Sequence, residues 1–363
     1  MRRALVVLLL LAAPTAFAGR RRSVVVRPPF PGCAIVTGTP AVTYTRDAGR
    51  TLAPVAEPLR GIGYTYGLAA LDTPGTLLSI HKSTLSISTD DGCSWRPVGT
   101  AEADFPPSIA AAPGGRAYIW SDNRQFAARY DSRGVRTLKA PGAIVGIGVD
   151  SLNGEHVRVG TTDGVIWDSR DGGETWDPIG QLRLTLPLLY RFAFDPHDLD
   201  HIVAGTATTG ASVTRDGGLT WTQTNIGDGF NAFNIAVSPA DGNVVWTMAL
   251  DTMQSDTPPV FGRHIYRSTD GGLTFRSVVD HGPSVTLING PLLAPDPRDP
   301  AVLYFVFGTY FQGYGTDLFR YDANTDQLTI AHNHYDDIDA IAFSRTDPHL
   351  IYLGLEVVQP ATP

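Results

Sequence analysis

The feature that most constrains this chain is an eight-residue pattern, Ser/Thr-x-Asp-x-Gly-x-Thr/Ser-aromatic, that recurs along it. Four copies are close to ideal, at Ser88–Trp95, Ser169–Trp176, Thr214–Trp221 and Ser268–Phe275, and a weaker one runs Thr45–Leu52. The chemistry of such an octad is local. A carboxylate at the third position can accept hydrogen bonds from the N-H groups of its own turn, a glycine two residues on can take positive φ, and the flanking hydroxyls add side-chain to backbone bonds. The aromatic that follows opens a new strand with a large apolar group. Asp47, Asp90, Asp171, Asp216 and Asp270 are therefore expected to shape hairpins, not to react.

Two degenerate copies, Tyr130–Gly134 and Tyr321–Thr325, fill the gaps. The aspartates then fall at 47, 90, 131, 171, 216, 270 and 322, in steps of 43, 41, 40, 45, 54 and 52 residues. Steps of this size match one four-stranded propeller blade. A second repeat precedes each hairpin, an apolar strand, a Pro/Asp turn and another apolar strand, as in Phe192–Pro196 with Ile202–Thr206. Its last copy, Ile341–Leu355, has no hairpin after it, while the first hairpin has too little chain before it. The two deficits complete each other if the C-terminal strands finish the first blade, which removes the open sheet edge. The chain is thus expected to be all-β, a single seven-bladed β-propeller with four-stranded antiparallel blades, its ring closed by N- and C-terminal strands. With 38 Gly and 27 Pro, few windows suit a helix.

Residues 1–18 read as a signal peptide: Arg2 and Arg3, an apolar run from Ala4 to Ala13, and Ala16-Phe17-Ala18 as the cleavage site. That run is too short to span a bilayer. Residues 19–32 form a basic, Pro-rich arm, 33–358 the propeller and 359–363 a tail. The protein is expected to be secreted or periplasmic and monomeric. Loss of the leader, with two Arg and no acid, takes the net charge from -8 to -10, which disfavours a nucleic-acid partner. The two cysteines, Cys33 and Cys93, are a candidate disulfide in an oxidising compartment, with free thiols the alternative.

In a blade of antiparallel strands, the hairpins and the Pro/Asp turns leave one face of the ring and the remaining connections leave the other. The second set varies more in length and composition, as binding loops on a rigid scaffold do. There the chain places Tyr310, Phe311 and Tyr314, then His281, His332, His334 and Tyr335, all candidate binding residues. His332 and His334, two apart in an extended segment, are weak metal-ligand candidates; no metal and no cofactor is expected. Glu102, Asp104, Asp228, Asp336 and Asp337 are weak candidates for the paired carboxyls of glycoside hydrolysis. Trp120, Trp167 and Trp246 lie in strand-like runs and read as core.

The octad resembles the Asp-box, or BNR repeat, and the mature chain is similar to members of the sialidase-like propeller superfamily. That superfamily holds sialidases, xyloglucan-cleaving glycosidases, sortilin-type receptors and a photosystem II assembly factor, so the resemblance implies a fold and leaves the function open. The chain lacks the Arg-Ile-Pro motif of true sialidases, and its length suits one propeller where xyloglucan enzymes usually carry two. The expected function is an exported scaffold that binds a protein or glycan, with a non-sialidase carbohydrate-active enzyme as the alternative.

Overall fold

Short apolar strands separated by Gly, Pro and Asp turns leave no stretch for a helix, and every regular element among the described residues is a β-strand. The computed structural model describes residues 42–52, 67–101, 107–122, 124–184, 188–254, 256–257, 260–285, 287, 292–306, 317–331 and 337–356. The chain divides into two units, residues 1–32, which lie outside the described residues, and residues 33–363, which hold every strand.

The strands form a seven-bladed β-propeller of antiparallel sheets. The second blade is Gly67–Ala70, Leu77–His81, Thr84–Ser88 and Arg96–Thr100, each strand paired with the next. The third to seventh blades repeat this order, starting at Pro107, Ile144, Leu189, Phe230 and Leu293. The first blade is made from both ends of the domain. Asp337–Phe343 pairs with Ile351–Glu356, which pairs with Val42–Thr45 in the register Val42 to Gly354 and Thr45 to Ile351.

Burial changes from the axis outward. Second strands such as Val157–Thr161 and Val302–Val306 are buried at every residue, because neighbouring blades cover both of their faces. Fourth strands such as Arg96–Thr100 and Asp177–Gln181 are largely exposed at the periphery. The core therefore lies between blades. Val145 and Ile166 of the fourth blade pack with Phe192, Phe194 and Ile202 of the fifth. Tyr304 and Leu318 of the seventh pack with Ile351, Leu353 and Leu355 of the first, which seals the ring. Trp120 and Trp246 are buried as expected, and Trp167 packs half-buried against the core.

Candidate functional site at the channel mouth

The aspartate of each of the five full octads is held by one repeated set of bonds. In the fourth blade, Ser169 Oγ donates to Asp171 Oδ1 at 2.8 Å and accepts from Gly173 N at 2.8 Å. Thr175 N donates to Oδ1 at 2.9 Å and Thr175 Oγ1 to Oδ2 at 2.6 Å. The same four bonds recur around Asp47, Asp90, Asp216 and Asp270. Bonds from Thr175 and Thr220 hold the Asp171 and Asp216 carboxyls down at about 2. At Asp47, Asp90 and Asp270 partial burial pushes upward and the same kinds of bond outweigh it. A carboxylate so engaged has both oxygens committed, and it is poorly suited to carry a proton in catalysis.

The turns between first and second strands carry a second repeated device. Asp150 Oδ1 accepts from Leu152 N and Asn153 N, Asp195 Oδ1 from His197 N, and Asp296 Oδ1 from Arg298 N. Ser238 Oγ and Ser344 Oγ do the same work in the sixth and first blades. The second and third blades have Leu71 and Ala112 at this position, and in every blade the residue after it stands at the rim of the central channel. Round the ring these are Asp72, Pro113, Ser151, Pro196, Pro239, Pro297 and Arg345, so four of seven are prolines. At the seam between first and second blades the rim closes with an ion pair, Arg345 Nε to Asp72 Oδ1 at 2.9 Å.

Below this rim lies a cavity of about 540 Å³, walled by first-strand residues including Leu68, Ile109, Val149, Ile341 and Phe343. The polar groups at its mouth are engaged. Asp72 Oδ2 accepts from Gly114 N and Gly115 N, and Asp150 Oδ2 lies 3.1 Å from His156 Nδ1. Burial pushes the Asp150 carboxyl up, and the bonds from Leu152 N and His156 bring it below the usual range. His197 bridges Ser151 Oγ at 2.8 Å and the Pro239 carbonyl at 3.0 Å. Arg298 is exposed and donates to the Ser344 carbonyl at 2.5 Å. The mouth is thus a rigid, mainly apolar recess, able to enclose a group but offering no carboxyl poised for acid-base work.

This recess lies on the face shared with the hairpins, which the sequence treats as purely structural, and none of its lining was among the candidates. A signal existed: the Pro/Asp turn repeats after each first strand, and reading it in register would have put four prolines on one circle. Most candidates on the other face fall outside the described residues, namely Glu102, Asp104, Tyr310, Phe311, Tyr314, His332, His334, Tyr335 and Asp336. Asp337 begins the strand Asp337–Phe343, and nothing is described of its side chain. Asp228 is exposed and accepts from Gln223 Nε2 at 2.9 Å. His281 Nδ1 accepts from Leu287 N at 2.9 Å, bracing its own loop. The long connection after Val245–Asp251 forms a two-rung ladder, Asp256 with Phe261 and Thr257 with Val260. Among the described residues no three His, Cys, Asp or Glu side chains are grouped to hold a metal ion. Cys93 is disulfide-bonded, and Cys33 lies outside the described residues.

No protein-family model matches the chain. It is 49% identical over 348 residues, 91% of its own length and 90% of the other's, to the dispase autolysis-inducing protein of Streptomyces mobaraensis. Among solved structures it is similar to a GH74 enzyme of Niastella koreensis, with a TM-score of 0.55 and 15% identity over 86% of this chain and 53% of that one. The chain thus spans about half the length of that enzyme. It is also similar to YCF48 bound to D1 peptide, with a TM-score of 0.55 and 15% identity over 90% and 99% of the two chains. Hydrazine synthase of Kuenenia stuttgartiensis aligns with a TM-score of 0.60 and 13% identity over 81% and 94%. At such identities the likeness is one of fold alone.

Proposed function

Because the chain belongs to the family of the dispase autolysis-inducing protein, we propose that it is an exported binding scaffold whose ligand is another protein and whose effect is exerted on that ligand without chemistry of its own. The observation that carries this reading is the relative's name, which describes an action upon another protein, dispase, that digests itself. The channel mouth supports it, since its carboxylates are spent on turns and ion pairs and its recess is preformed on a rigid ring. The five hairpin clasps support the Asp-box resemblance. Export rests on the leader-like residues 1–18 and agrees with an oxidised Cys93, whose partner we take to be Cys33, the other cysteine of the chain. Among the described residues no helix is long and apolar enough to cross a membrane.

The test is to incubate the mature protein with dispase and follow the intact enzyme over time. Dispase should disappear faster with the folded propeller than with a heat-unfolded sample, and the propeller should itself turn over no glycan on an array with a hydrolysis readout. Glycan hydrolysis abolished by a single carboxylate substitution would replace this reading with the carbohydrate-active one. The bridge is checked by intact mass, which should gain two hydrogens on reduction.

A further inference from the structure

We infer that the channel mouth on the hairpin face is the contact surface, and that it receives an apolar side chain flanked by acidic residues on an exposed loop of the protein partner. This deepens the reading of the chain as a protein-binding scaffold, on which it rests, by assigning the face and the chemistry of the contact. The recess of about 540 Å³ falls in the size range of sites that enclose a ligand, and its walls are aliphatic. Covering such a surface removes apolar area from water. Of Phe, Tyr and Trp the lining holds Phe343 alone, and the His197 ring is tied to Ser151 and the Pro239 carbonyl, which is poor provision for stacking on sugars. Leu152, beside the rim residue Ser151, is 91% exposed on a turn fixed by Asp150. An apolar group held out in water on a rigid turn loses little freedom when a partner covers it.

Charge selects the partner. The whole chain has a net charge of -8, but the acids at the mouth are already engaged, Asp72 with Arg345 and two backbone N-H groups, Asp150 with its own turn and His156. Arg298 is different. It lines the cavity, and its guanidinium carries five N-H donors, of which one is used among the described residues, on the Ser344 carbonyl. Arg298 and Arg345 balance Asp72 and Asp150 in formal charge, and the guanidinium of Arg298 is the charged group at this mouth with donors to spare, which suits it to a carboxylate beside the inserted apolar group.

The experiment uses the full-length mature protein and three exposed-site variants: Leu152→Asp and Arg298→Glu on the hairpin face, and Met253→Asp, 86% exposed on the opposite face, as the control. Unchanged circular dichroism and melting temperature establish that each is folded. The probes are two fluorescent hexapeptides with a central Phe-Leu pair, one flanked by Glu and one by Lys, and dispase itself. The Glu peptide should bind roughly 10-fold tighter than the Lys peptide, Arg298→Glu should erase that preference, Leu152→Asp should weaken binding by about 10-fold, and Met253→Asp should change nothing. The dispase effect should fall in the same order. Equal binding of the two peptides, no binding of either, or indifference to the hairpin-face variants overturns the inference. Dispase action that persists in both hairpin-face variants overturns it while leaving the scaffold reading intact. Peptide binding without any effect on dispase defeats the family-based reading and leaves the contact surface standing.

Discussion

Ser169 shows what a single residue does in this fold. Its hydroxyl is buried, donates to Asp171 and satisfies Gly173 N, so it joins the carboxylate to the tip of the turn. Ser169→Ala should cost about 1–3 kcal/mol, read as a shift in the urea midpoint, because the Gly173 donor is left buried without a partner. The carboxylates themselves make a pH signature. Asp171 and Asp216 sit at about 2 in the folded protein against an ordinary 3.8. A lowered folded value means stability that is fully present above the ordinary value and lost as pH falls from about 4 toward 2. Urea midpoints between pH 5 and pH 2 should therefore drop most steeply in that window, and Asp171→Asn should flatten the slope. All of this was legible in the sequence, since the octad's bonds close within five residues. Not legible was the strain at the fourth position of two copies, where Ala48 and Asp91 take φ of 58° and 61° in the place that glycine holds elsewhere. Asp91 has another employment: it accepts from Tyr352 Oη of the first blade.

At the scale of the strand, blades approach closely enough for two glycines to be required by space alone. A Cβ on Gly160 would lie 1.9 Å from the Phe192 ring, and one on Gly146 would lie 2.1 Å from the Phe192 carbonyl oxygen. Gly160→Ala should therefore lower stability by about 1–3 kcal/mol, measured by denaturant melts, although Ala suits a strand at least as well as Gly. The strand order followed from spacing alone, including the closure in which Ile351–Glu356 pairs with Val42–Thr45. What could not follow is which turns after the first strands meet at the axis, because successive members of Pro113, Pro196, Pro239 and Pro297 lie 43 to 83 residues apart and are neighbours only through the curvature of the ring. Removal of residues 351–363 should abolish cooperative melting, since it takes away the middle strand of the first blade and its packing on Tyr304 and Leu318.

At the scale of the molecule, polar clasps run round the hairpin face in one direction, each blade holding the next. Asp72 of the second blade takes Gly114 N of the third, and Tyr118 of the third donates to the Gly154 carbonyl of the fourth at 2.7 Å. Arg158 of the fourth reaches Asp200 of the fifth at 2.5 Å. His201 of the fifth, fully buried, lies 2.9 Å from the Gly271 carbonyl of the sixth; since a carbonyl only accepts, Nε2 carries the proton. Arg267 of the sixth donates to the Pro300 carbonyl, Tyr304 of the seventh to the Ala48 carbonyl, and Tyr352 of the first to Asp91. Each such bond contributes on the order of 1 kcal/mol, and none was visible beforehand, because a buried Tyr or His in a strand reads as filler until its neighbour is known. His201→Phe should accordingly destabilise the fold by about 1–3 kcal/mol in the same urea melts, since it removes the partner of the Gly271 carbonyl and of Asp195.

The seam has a mechanical consequence. Val42 pairs with Gly354 and Thr45 with Ile351, so the chain enters and leaves this ladder at the same end. With the bridge to Cys93 reduced, a pull applied through the two termini loads the rungs one after another, as in opening a zip, instead of shearing them together. The ladder that closes the ring is therefore the one its own ends open, and the disulfide of Cys93 stands in the path of that load.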